Sequence, residues 1–329
     1  AAVEHGVDDR LGDGRGVVVR RSGCGVVAGG VVRVHTANST ERVLKASAKR
    51  GPTGGTPRRT ATRTARWVPR ESGAMVDVAL QLYTLREVDA SVPELLDVAG
   101  EAGYDGVEFA YRVRDAPLPE VRDALERNDL AVASAHVSIG ALEDAYAETT
   151  AFHDALGAET LVVPWLDPKR FESRAAAEAA AERLDALAAD LADDGFRAAY
   201  HTHDHEFVAL GDGGESADGA AETALDALLA ATDERLGLEL DVGWALAGGA
   251  DPAALIDEHG DRITRVHAAD VDVERGESVA LGDGDVDLDA VVAGARTAGA
   301  EWLVYEHDDP GDPVASIERG RRALRDALR

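Results

Sequence analysis

The chain has 329 residues, 45% of them hydrophobic, with a single cysteine, Cys24, and a formal net charge of −28. That is enough for one large domain or two small ones. It excludes an internal disulfide framework and a thiolate zinc site, so any metal must be held by His and carboxylate. No apolar run approaches the roughly 20 residues that span a bilayer, and the start has no signal-sequence pattern, so a cytoplasmic protein without membrane attachment is expected.

The charge is unevenly spread. Residues 1–74 carry 14 Lys/Arg against 6 Asp/Glu, and the remainder carries 20 against 56, a net −36. A surface so rich in carboxylate repels itself in dilute solution and is tolerable where salt screens it. The expectation is a high-salt cytoplasmic protein of haloarchaeal type, unsuited to a nucleic-acid backbone.

Residues 1–74 hold glycine clusters, an Arg/Thr-rich stretch and no sustained amphipathic period, so they bury little apolar surface against their ordering entropy. They are expected to be a disordered or non-native extension, with the natural start at Met75, the only methionine. From there strand and helix signals alternate eight times. Strands are predicted near 78–83, 106–109, 131–136, 160–163, 198–203, 237–241, 263–267 and 302–306. Helices are predicted near 92–102, 118–128, 141–156, 173–194, 220–230, 252–258, 288–298 and 313–328. Pro93, Pro119 and Pro252 sit near helix starts, and Gly103, Gly157, Gly195 and Gly299 follow helix ends. Eight such units over residues 75–329 match an α/β fold of the (β/α)8 barrel type.

Polar residues gather at the predicted strand ends, where such a barrel places its active site: Gln81, Tyr83, Glu108, His136, Trp165, His201, His203, Glu239, Asp241, His267 and Glu306. Inward positions of a barrel are normally apolar, so converging ligands there require a metal or a network to offset desolvation. His201, Asp241, His267 and Glu306 come from four consecutive strands and can meet near the axis. Such a donor set suits Mn²⁺, Co²⁺, Zn²⁺, Fe²⁺ or Mg²⁺. His203 shares a strand face with His201 and Glu239 with Asp241, so they are read as supporting or substrate-contacting residues, and His203 stays open as the alternative fifth-strand ligand.

From Val76 onward the chain resembles the xylose-isomerase-like barrels that include sugar phosphate isomerases and epimerases, tagatose-type epimerases, keto-inositol dehydratases and, more distantly, endonuclease IV. The carriers are the segments 103–109 (GYDGVEF), 200–207 (YHTHDHEF), 240–244 (LDVGW), 262–267 (RITRVH), 281–284 (LGDG) and 301–308 (EWLVYEHD). The resemblance implies a divalent metal on His201, Asp241, His267 and Glu306. Three positions depart from the pattern. Tagatose-type epimerases carry a glutamate where His201 stands, and relatives of the Tyr-His-Asn-His type have Asn in place of Thr202 and a lysine in place of Ala269.

The expected chemistry is isomerisation or epimerisation of a small sugar or polyol by proton abstraction beside a carbonyl, through a metal-bound enediolate. Glu306, Glu108 and His203 are the acid/base candidates, and His136, Trp244 and Tyr83 the substrate contacts. The alternatives are dehydration on the same site and a non-catalytic sugar-binding barrel. An endonuclease reading is disfavoured, since neither a multi-metal cluster nor a basic face is evident in the sequence. Relatives often pair as dimers or tetramers, although no interface is legible in this chain. Two glycine–aspartate stretches, 211–214 and 282–285, lack the spacing of a calcium or phosphate loop and are read as plain loops.

Overall fold

A computed structural model of the chain describes residues 76–211 and 221–329. The extension expected over residues 1–74 lies outside the described residues, as do residues 212–214. The elements run β1 (Asp77–Gln81), α1 (Val92–Ala102), β2 (Gly106–Phe109), α2 (Leu118–Arg127), β3 (Ala131–His136), α3 (Ile139–Asp144), α4 (Tyr146–Leu156) and β4 (Thr160–Val163). They continue with α5 (Arg174–Asp193), β5 (Arg197–His201), α6 (Ala224–Ala230), β6 (Leu236–Asp241), α7 (Val242–Ala247), α8 (Pro252–His259) and β7 (Ile263–Ala268). The last are β8 (Asp270–Asp272), β9 (Glu277–Val279), α9 (Leu288–Ala298), β10 (Trp302–Tyr305) and α10 (Pro313–Ala327).

Eight parallel strands close into a barrel in the order β1-β10-β7-β6-β5-β4-β3-β2, with β8 and β9 forming a separate antiparallel pair. The expected eight-unit barrel is therefore the fold. Strands β2, β4, β6 and β7 are buried along their whole length, as a parallel sheet wrapped by helices requires. Each helix presents one apolar stripe to the sheet; on α5 these are Ala177, Ala180, Ala181, Leu184, Leu187, Ala188 and Leu191. Local sequence sets the ends. Ser91 and Glu94 form a reciprocal cap at the start of α1, and Gly103 ends it at φ 83°, a conformation that only glycine adopts without strain. Among the described residues no helix is long and apolar enough to cross a membrane.

Several details differ from the sequence-based expectation; the first strand, predicted over 78–83, ends at Gln81 and leaves Tyr83 in a 3-10 turn. The single helix predicted over 141–156 divides at Ala145, whose φ of −137° is not helical. Nearby, Arg114 donates to Thr149, whose hydroxyl reaches back to the Ala141 carbonyl. The fifth strand stops at His201, leaving His203 in the following turn. Glu206 holds that turn, its buried carboxylate accepting from the Tyr200 hydroxyl and, at 2.8 Å, from the His203 amide. Helix α7 and the β8–β9 ribbon are too short to give a periodic signal.

Candidate metal centre

Strand register brings the polar side chains to one end of the barrel. Gln81 pairs with Glu108, Glu108 with Ser134, His201 with Glu239, and Asp241 with His267. Glu306 follows directly on β10. Within this set His201, Asp241, His267 and Glu306 present ligand atoms that all lie within 4.8 Å of one another, and all four residues are buried. A second, overlapping group of His136, His201, Glu239 and His267 meets the same limit. All four stand at predicted strand ends, where His136 is expected as a substrate contact and Glu239 as a supporting residue, not as members of a second group.

Asp241 tests whether the first group fits a cation. One carboxylate oxygen accepts from the Trp244 amide at 2.8 Å, capping α7; the other is buried and has no hydrogen-bond partner. Burial, reinforced by the nearby Glu306 carboxylate, pushes the Asp241 carboxyl well above its ordinary range. A buried oxygen left without a donor, among two imidazoles and a second carboxylate, is the arrangement a divalent cation completes.

The imidazoles are held from below. His267 Nδ1 lies 2.7 Å from Glu306 Oε2, and its Nε2 faces Glu108 at 2.7 Å and Glu239 at 3.1 Å. Burial lowers the affinity of His267 for a proton, but Glu239 and Glu108 outweigh it, so the ring stays protonated well above its ordinary range. His136 sits between the same two glutamates, 2.7 Å from Glu239 and 3.0 Å from Glu108, and they raise its pKa to about 10 against the effect of burial. Gln81 completes the layer: its oxygen accepts from the Tyr83 amide, which turns its NH₂ group toward Glu108 at 2.6 Å.

Of the remaining candidates, Glu108 is fully buried and fully engaged, also accepting from Ser134. Its position suits holding His136 and His267 better than touching substrate. His203 is part-buried, its ring 4.9 Å from His201 and 6.0 Å from Trp244. Tyr83 carries the Arg86 guanidinium 4.3 Å over its ring.

Two residues were missed by sequence reasoning. Arg265 is fully buried one layer below His267 and donates to the Ala133 carbonyl and Thr160 at 2.8 Å and to Thr264 at 3.0 Å. Strand alternation held the signal, since Arg265 precedes His267 by two on the same face. Asp308 lies just beyond the strand end, where burial and the Glu306 charge raise its carboxyl to about 7.

Asp270 settles the nature of the 282–285 stretch. Its carboxylate accepts from the backbone amides of Val271, Gly282, Gly284 and Val286 at 2.8–3.1 Å, so these glycines form a structural loop.

The chain is thus a closed parallel barrel with a buried His/carboxylate cluster at one end. Residues 96–327 match the xylose isomerase-like TIM barrel family, and the chain belongs to that family. It is 31% identical over 168 residues to the rhizopine catabolism protein MocC of Rhizobium meliloti, covering 45% of this chain and 48% of that protein. The chain thus spans about half the length of this curated relative. Among solved structures, a sugar phosphate isomerase/epimerase from Parabacteroides distasonis aligns with a TM-score of 0.65 at 19% identity, covering 75% of this chain and 97% of that one. The IOLI protein, in a crystal structure with a zinc atom, aligns with a TM-score of 0.61 at 16% identity, covering 77% and 98%. At these identities the structural likeness speaks for the fold.

Proposed function

We propose that the protein is a divalent-metal-dependent enzyme that moves a proton on the carbon beside a carbonyl of a sugar or polyol, as an isomerase or epimerase. The observation that carries this reading is the buried group His201, Asp241, His267 and Glu306 with its unsatisfied Asp241 oxygen. The family and the zinc-containing neighbour support it.

His201, Asp241, His267 and Glu306 would hold the cation; Mn²⁺, Co²⁺, Mg²⁺ and Zn²⁺ all suit such donors. When bound, it supplies positive charge that stabilises the negative charge developing on the substrate oxygens. The chain's own side chains do the rest. His136, with 12% of its side chain exposed, is assigned to hold a substrate hydroxyl. Trp244 and Tyr83 are assigned as contacts for the carbon skeleton. Glu306, at the rim of the cluster, and His203, beyond the strand end, are the groups assigned to take and return the carbon-bound proton. Glu108 is assigned to hold the His136 and His267 rings.

Proton return to the opposite face gives an epimer, return to the neighbouring carbon an isomer, and loss of a β-hydroxyl a dehydrated product. Incubating the protein with Mn²⁺ and a panel of ketoses and keto-inositols in D₂O distinguishes these by NMR. Deuterium at the carbon beside the carbonyl, abolished in His267→Ala, is the expected outcome. Tight sugar binding with no exchange in any compound would instead favour a non-catalytic sugar-binding barrel.

A further inference from the structure

Three imidazoles converge on one carboxylate oxygen beneath the proposed cation position. Glu239 Oε1 lies 2.7 Å from His136 Nε2, 3.0 Å from His201 Nδ1 and 3.1 Å from His267 Nε2. Its other oxygen is buried with no hydrogen bond, so the whole of the contact falls on Oε1. A carboxylate oxygen only accepts, so each nitrogen facing it carries a proton. For His201 that leaves Nε2 to bind a metal, whereas His267 Nε2 is held more closely by Glu108, at 2.7 Å, than by Glu239. His267 Nδ1 is the atom already 2.7 Å from Glu306 Oε2, on the side of the proposed ligands.

The four residues around Oε1 also satisfy the spacing of a cation site in their own right. One fact weighs against a second cation there. The two groups share His201 and His267, so two cations would require each ring to give up both nitrogens to metal, against the ordinary use of one per ring with the other donating to an acceptor.

We infer that Glu239 is a positioning residue for the metal centre: it sets the tautomer and ring orientation of His201, and the cluster around it takes no second cation. The inference rests on the cation site proposed above and deepens it. Removing such a carboxylate typically weakens metal binding by about 10–100-fold.

The test uses the full chain, zinc as the probe, and the isosteric variant Glu239→Gln. Wild type is expected to bind one equivalent, with long-range ¹H–¹⁵N spectra showing a protonated Nδ1 on His201 and a protonated Nε2 on His267. Glu239→Gln is expected to bind the same single equivalent about 10–100-fold more weakly, with the His201 tautomers mixed and His267, still held by Glu108, unchanged. Equal affinity and an unchanged His201 tautomer in the variant would overturn the inference alone. So would two equivalents in wild type, or zinc on His201 Nδ1 there, a readout that needs no variant to fold. Failure of wild type to bind zinc, Mn²⁺ or Co²⁺ at all would overturn the cation site and this inference together.

Discussion

At the residue scale, the cluster is a contest between protons and a cation for the same atoms. Asp241 keeps its proton because burial disfavours its charge, and His267 keeps its second proton because Glu239 and Glu108 outweigh burial. Both groups are shifted upward from their ordinary 3.8 and 6.5, toward holding protons that compete with a metal for the same atoms. The sign follows: raising the pH removes the competing protons, so metal affinity rises with pH and binding releases protons near neutrality. Calorimetric titrations of Mn²⁺ or Zn²⁺ in buffers of different ionisation enthalpy measure that release directly. Binding that tightened as pH fell, or that released no protons, would contradict this description of the cluster. Arg265 belongs to the same balance. Its buried guanidinium beneath the layer offsets part of the negative charge of Glu108 and Glu239, and burial in turn lowers its own pKa.

At the element scale, β10 positions Glu306, and α10 positions β10. The Tyr305 hydroxyl and His307 Nδ1 both meet Ser316 Oγ, at 2.7 and 2.8 Å, and Gly320 lies against the Tyr305 ring so closely that an added Cβ would overlap it. Gly320→Ala is therefore expected to lower stability by about 1–3 kcal/mol in urea unfolding, through overpacking that exceeds the gain in helix propensity. An unchanged or higher midpoint would show that the ring has room to move. Much of this scale was legible in the sequence. The extents of α1, α9, β2, β3 and β4 follow from hydrophobic period and from breakers such as Gly103 and Gly299. The break at Ala145 was not legible, because one non-helical residue leaves the apolar period intact. Strand alternation placed His201, Asp241, His267 and Glu306 at one end of the barrel, and it carried Arg265 as well, though a basic residue before a histidine invites a surface reading. The sharing of Glu239 among three histidines was hidden, since it depends on closure of the barrel across strands up to 103 residues apart.

At the scale of the whole molecule, the charge of −36 beyond residue 74 is the dominant surface property. Mutual repulsion of these carboxylates opposes the compact state, and salt screens it, with a Debye length of about 3 Å at 1 M. Thermal unfolding should therefore move upward as KCl is raised from about 0.1 M to above 1 M. A midpoint that fell with added KCl would overturn the high-salt reading of the composition. The barrel, the family and the cluster together point to one cation at the C-terminal end of the strands, and elemental analysis of the full chain tests that claim most directly. The predicted result is close to one equivalent of divalent metal in the wild-type protein, lost in both His267→Ala and Glu306→Ala. A wild-type protein with neither bound metal nor affinity for added Mn²⁺, Co²⁺ or Zn²⁺ would contradict it.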